Sequence, residues 1–116
     1  MSESENALLP KGDRAIVELA KLRDYCLNPT HWRGQHKARV FRAKLGLAQR
    51  DAGWLRGCLL EAAAKHPAKM GREDSFGQRY VVDLTVTTAT GTATVRSSWI
   101  IRSGEDVPRL TSCFVL

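Results

Sequence analysis

The rhythm of apolar and polar positions changes two thirds of the way along the chain. Up to about residue 66 apolar residues recur every three or four positions, and from residue 78 onward they alternate. Glu18 to Leu27 carries Leu19, Leu22, Tyr25 and Cys26 at helical spacing, and Asn28-Pro29 ends the helix because a proline disfavours α backbone at the residue before it. Val40, Phe41 and Leu45 predict a second helix from about His36 to Leu45, with Gly46 as its C-cap. Asp51 opens a third, whose stripe of Trp54, Leu55, Cys58, Leu59 and Ala62 runs to His66-Pro67. Ala15-Ile16-Val17 reads as a short edge strand, and the acidic, anchor-poor residues 1–9 as a flexible start.

Residues 67–77 contain Pro, Gly and mixed charge and read as a connection. Beyond it Tyr80, Val82, Leu84 and Val86 share one strand face, opposite Arg79, Val81, Asp83 and Thr85. In Thr92 to Arg102 the corresponding sets are Ala93, Val95, Ser97, Trp99 and Ile101 against Thr94, Arg96, Ser98, Ile100 and Arg102. A two-residue turn at Thr90-Gly91 pairs Ala89 with Thr92, which sets Val82 opposite Trp99 and Thr85 opposite Arg96. In a last strand, Arg109 to Leu116, the residues Leu110, Ser112, Phe114 and Leu116 alternate with Thr111, Cys113 and Val115. The expected fold is α+β, with N-terminal helices packed on one face of a C-terminal antiparallel meander of three to four strands, forming a single domain over 10–116. Trp54, Tyr80 and Trp99 lie on apolar faces and are expected in the core.

Composition narrows the class. A chain of 116 residues suits one domain. No apolar run nears the ~18 residues that cross a bilayer, and the start Met1-Ser2-Glu3-Ser4-Glu5 lacks the basic and apolar parts of a signal peptide, so a cytoplasmic protein without membrane contact is expected. The odd number of cysteines, Cys26, Cys58 and Cys113, has no short spacing, which argues against a zinc knuckle and a disulfide framework. No metal-ligand spacing, phosphate-binding glycine loop or dinucleotide fingerprint occurs, so neither a metal nor another cofactor is expected.

Charge changes the picture more. The formal net charge is +6, and all of that excess lies between Tyr25 and Arg50, where Arg33, Lys37, Arg39, Arg42, Lys44 and Arg50 occur without a single acid. A concentrated positive field attracts polyanions, RNA foremost, although a solvated helix face or a dock for an acidic protein would look the same. His31, Trp32, Arg33, Arg39 and Arg42, joined by Arg102 and Arg109, are the candidate nucleic-acid contacts, Trp32 for base stacking. Gly34-Gln35-His36-Lys37 stands at a helix start, where histidine suits proton transfer and lysine can stabilise developing negative charge. Arg79, Arg96, Ser98 and, depending on register, Thr111 or Ser112 would meet a phosphate from the open sheet face. Cross-strand ion pairing of Asp83 with Arg96 or Arg102 is the competing expectation there.

Gly34 to Phe41, Gly77 to Asp83, Val95 to Ile100 and the Gly104-Glu105-Asp106 and Pro108 to Cys113 stretches resemble a small bacterial domain family of unknown function. Its members include stand-alone proteins and C-terminal toxin modules, some beside a small second protein, which implies a small acidic antitoxin or immunity protein as a possible partner. In element order, basic charge and a His-Lys pair near a helix start, the chain also looks like the barnase, EndoU, colicin and RelE group of ribonuclease toxins. That likeness implies metal-independent RNA cleavage, and the residues suggest how it would run by 2′-hydroxyl attack: His36 as acid or base, Lys37, Arg79 and Arg96 neutralising the phosphorane charge, and Ser98 and Thr111 positioning a non-bridging oxygen. A non-catalytic basic module that binds nucleic acid or an acidic protein is the alternative.

Overall fold

A computed structural model describes residues 7–116. Of the nine residues expected to be a flexible start, 1–6 lie outside the described residues, and 7–9 are tied down. The Ala7 carbonyl accepts a hydrogen bond from the Ala68 amide at 2.7 Å, and Leu9 is buried in the core. Among the described residues no helix is long and apolar enough to cross a membrane.

Helix α1 begins as one α turn, Leu19–Lys21, and continues as a π turn, Leu22–Cys26, closed by a hydrogen bond from the Leu27 amide to the Leu22 carbonyl at 2.8 Å. Helix α2 spans Gln35–Leu45 and ends on Gly46 with φ 65°, the left-handed conformation that glycine adopts at no steric cost. Its buried stripe is Ala38, Phe41 and Leu45; the expected Val40 is 38% exposed, because position 40 falls off that face. A 3₁₀ turn, Gln49–Asp51, leads into α3, Ala52–Lys65, and the Asp51 carboxylate accepts from the Ala48 amide at 2.9 Å. Helix α3 buries Ala52, Leu55, Leu59, Ala62 and Ala63. Trp54, expected in the core, lies between these positions and is 49% exposed.

The sheet is an antiparallel meander in the order β1 (Lys69–Asp74), β2 (Gly77–Thr87), β3 (Thr92–Arg102), β4 (Arg109–Val115). Helix α2 packs against β4 and β3, and α3 against β2. The architecture is therefore α+β with four strands. Strand β1 falls where the sequence pattern indicates a connection: its side chains are almost all exposed, and a bulge between Met70 and Glu73 breaks the alternation that would reveal it. Ile16 does reach the sheet, but as a single parallel bridge to Arg109, its amide donating to the Pro108 carbonyl at 2.9 Å.

The β2–β3 register differs from the expected one by two positions. Thr87 pairs with Thr92, leaving a four-residue connection that Thr88 holds by donating its hydroxyl to the Leu45 carbonyl at 2.7 Å. A shift of two preserves faces, so Val82, Leu84, Val86, Val95 and Trp99 still enter the core; only the partners change. Val82 now opposes Ser97, and Asp83 opposes Arg96. Among the described residues Ser97 is the one buried polar residue, and it is satisfied: its hydroxyl donates to the Val82 carbonyl at 2.6 Å and accepts from the Trp99 indole at 2.8 Å.

Strand β4 carries the correction with the most consequence. Ser98 pairs with Ser112 but Trp99 with Leu110, so Thr111 is an extra residue, a bulge. The alternation therefore resets within the strand, and Leu110, Cys113 and Val115 are buried where Leu110, Ser112 and Phe114 were expected to share a face.

Candidate functional site

The π turn of α1, the start of α2 and the bulge of β4 meet at one junction. Widening the helix by one residue lets the consecutive residues Tyr25 and Cys26 both reach it. Lys37, in the first turns of α2 and half-buried, donates to Ser112 Oγ at 2.8 Å and to the Tyr25 hydroxyl at 3.2 Å. Its Nζ also lies 4.9 Å from the Tyr25 ring centroid. Cys26 Sγ stands 4.0 Å from the same Ser112 hydroxyl. A bulge re-aims side chains, and here it delivers Ser112 to Lys37, while Thr111 spends its hydroxyl on the Ser98 carbonyl at 3.1 Å.

Cys26 and Cys113 are fully buried at this junction. The Cys26 thiol is lowered to about 6, first by the hydrogen bond from Cys113 and then, against the opposing effect of burial, by Ser112 and the charge of Lys37. Cys113 is pushed well up, by its bond to Cys26 and by burial. Half-buried Cys58 lies elsewhere, on α3, and is raised by burial and Glu61.

His36 is exposed beside Lys37, and the two line an open groove of about 330 Å³ with Val40, Phe114 and Val115. Phe114 pairs with Arg96 on the neighbouring strand, so the His-Lys pair and the arginine-bearing strand flank the same aromatic residue. Along the other flank of α2 a groove of about 450 Å³ is walled by Gln35, Arg39 and Arg42 against Leu27, Pro29 and Leu47.

Of the expected sheet arginines, Arg79, Arg96 and Arg109 are occupied. Asp83 grips Arg96 in a two-point contact, both bonds 2.9 Å, which holds the Asp83 carboxyl below its usual range. Arg79 is bonded to Asp74 at 3.2 Å and Arg109 to Glu105 at 3.1 Å. Ser98 is half-buried on the strand beside Ser112. Arg102 is exposed at the far end of β3, paired with Gly77. The basic segment is the reverse case: among the described residues none of Arg33, Lys37, Arg39, Arg42, Lys44 and Arg50 forms an ion pair with a carboxylate. The sequence singles out His36 and Lys37 but gives no sign that Tyr25 and Ser112, rather than Thr111, are the residues that contact Lys37. Tyr25 looked like one more apolar position, and the choice at 111 and 112 turned on a bulge.

The loop before α2 is closely built. His31 Nδ1 accepts from the backbone amides of Arg33 and Gly34, each at 3.0 Å, which places the ring proton on Nε2. Gly34 lies against Tyr25 so tightly that a Cβ would come 2.1 Å from the Tyr25 carbonyl oxygen. Trp32 is 71% exposed.

No cluster of three or more His, Cys, Asp or Glu able to hold a metal occurs among the described residues. Fold and junction together define a small α+β domain with a basic helix laid along the edge of a meander and a Lys-Ser-Tyr contact at its start. The chain belongs to the family described as domain of unknown function DUF6883, whose model matches residues 8–116. No curated protein and no solved structure matches it.

Proposed function

We propose that this protein is a metal-independent endoribonuclease whose working groove is the one walled by His36 and Lys37. The observation that carries the reading is the placement of Lys37: anchored by Ser112 and Tyr25 at one rim of a helix whose cations have no carboxylate partner among the described residues. A phosphodiester drawn to that helix meets a fixed positive charge and, one residue away, an exposed imidazole. His36 takes the proton of the ribose 2′-hydroxyl, the freed oxygen attacks the adjacent phosphorus, and Lys37 neutralises the charge that accumulates on the phosphorane. The imidazolium then returns its proton to the departing 5′-oxygen, leaving a 2′,3′-cyclic phosphate. Arg79 and Arg96, assigned to the phosphorane from the sequence, are held by Asp74 and Asp83, so Lys37 is the cation this mechanism relies on.

That same occupancy favours a second reading, a non-catalytic nucleic-acid binder, because it withdraws two of the three cations once available for catalysis. Incubating single-stranded RNA with the chain in excess chelator separates the two. The nuclease cuts, and His36→Ala, a change at an exposed position, slows cutting by about 100-fold or more. Binding without cutting, with His36→Ala binding equally well, replaces the nuclease by the binder.

A further inference from the structure

Trp32 is the most exposed aromatic ring in the described chain, at 71%, and it is not left loose. The Arg33 guanidinium carbon lies 4.5 Å from its ring centroid, and the His31 ring runs nearly parallel to it, 10° off at 6.3 Å. His31 in turn meets the Tyr25 ring edge-on at 4.9 Å, and Tyr25 accepts the hydrogen bond from Lys37. The loop carrying these rings is pinned by the two amides bonded to His31 Nδ1, by Gln35 Nε2 donating to the Trp32 carbonyl at 3.4 Å, and by Gly34 against Tyr25. An indole held out into water on a rigid mount pays little ordering entropy when something stacks on it. Its neighbour is cationic: Arg33 lies over the ring, and Arg39 and Arg42 stand further along α2, all without carboxylate partners among the described residues. A planar aromatic next to unneutralised guanidinium groups suits a ligand that is itself aromatic and anionic.

We propose that Trp32 is the floor of a nucleobase subsite, so that the nucleic acid taken by this protein is single-stranded, with an unpaired base stacked on the indole and its backbone running along α2 past Lys37. This rests on the reading that α2 binds RNA and deepens it by naming the substrate class. A base inside a duplex offers no free face, so a duplex is a poor ligand for this subsite. The ring chain from Trp32 through His31 and Tyr25 to Lys37 joins the base subsite to the phosphate subsite as one mechanical unit.

The test uses fluorescein-labelled 2′-O-methyl RNA, which lacks the attacking hydroxyl and stays intact. Fluorescence anisotropy is followed with the full chain and three probes: the single strand, the same strand annealed to its complement, and an abasic phosphodiester strand of equal length. The single strand is expected to bind tightest, and Trp32→Ala to weaken it on the order of tenfold while leaving the abasic strand unchanged; Trp32→Phe keeps most of the affinity. Equal binding of all three probes, or a Trp32→Ala variant that binds the single strand as wild type does, overturns the subsite while the polyanion reading stands. Binding to none of the probes at low salt removes that reading and the subsite with it.

Discussion

Lys37 shows how one side chain is made specific by its surroundings. It is one of six cations in an acid-free stretch, and it alone of the six is drawn inward, onto Ser112 and Tyr25. The sequence singles it out only as the neighbour of His36 at a helix start. Its partner Ser112 could not be read, because Leu110 to Leu116 carries apolar residues at both parities and the reset at Thr111 leaves no local signature. Two residue-scale predictions follow from buried polar contacts. Ser97→Ala removes the acceptor of the Trp99 indole and is expected to cost about 1–3 kcal/mol in urea denaturation, since a buried donor is left unpaired. The buried thiol pair makes stability depend on pH. Cys26 is lowered from 9.0 to about 6, so its contribution is complete above the unfolded value and disappears as pH falls through about 6. Cys113, raised, contributes below pH 9 and loses that contribution as pH climbs through its elevated value. The gap in urea midpoint between wild type and Cys26→Ser therefore widens from pH 6 toward pH 9; a gap that does not change with pH would show that the two thiols do not share a proton.

At the scale of elements, what could be read from the pattern was face, and what could not was partner. Alternation fixes which residues of β2 and β3 point into the core, and it survives a shift of two in register. Turn chemistry was the weaker signal: Thr90-Gly91 resembles a two-residue hairpin, yet Thr88 is anchored to the end of α2 and the strands stop pairing at Thr87. Placing Asp83 directly across from Arg96 follows from that register and decides that Arg96 is in an ion pair. Strand β1 escaped because an exposed, bulged edge strand has no apolar period to detect. Helix α3 offers a test of the helical reading itself. At Gly57 an added Cβ meets nothing within 4 Å, so Gly57→Ala is expected to raise stability by about 0.5–1 kcal/mol, seen as a higher thermal midpoint. A lower midpoint would mean that α3 is not regular there.

For the whole molecule, the net charge of +6 resolves into a neutral scaffold and one basic helix with its flanking loops. The sheet holds Arg79, Arg96 and Arg109 in ion pairs and leaves Arg102 exposed at the far end of β3, whereas α2 presents its arginines to solvent along its length, so the field has a direction. Single-strand affinity is expected to fall with salt by about 0.7 in log K per log salt for each phosphate engaged, and Arg39→Glu with Arg42→Glu to flatten that slope by about 1.4. A slope unchanged by the double variant would place the nucleic acid elsewhere. The central claim, transesterification at the His36 and Lys37 groove, is tested most directly with a DNA strand carrying a single ribonucleotide. The account predicts one cut, immediately 3′ of that ribonucleotide, with a 2′,3′-cyclic phosphate on the upstream product by mass spectrometry, lost in Lys37→Met and His36→Ala variants that still fold. An intact strand, or equal cutting of the all-deoxy control, would contradict it.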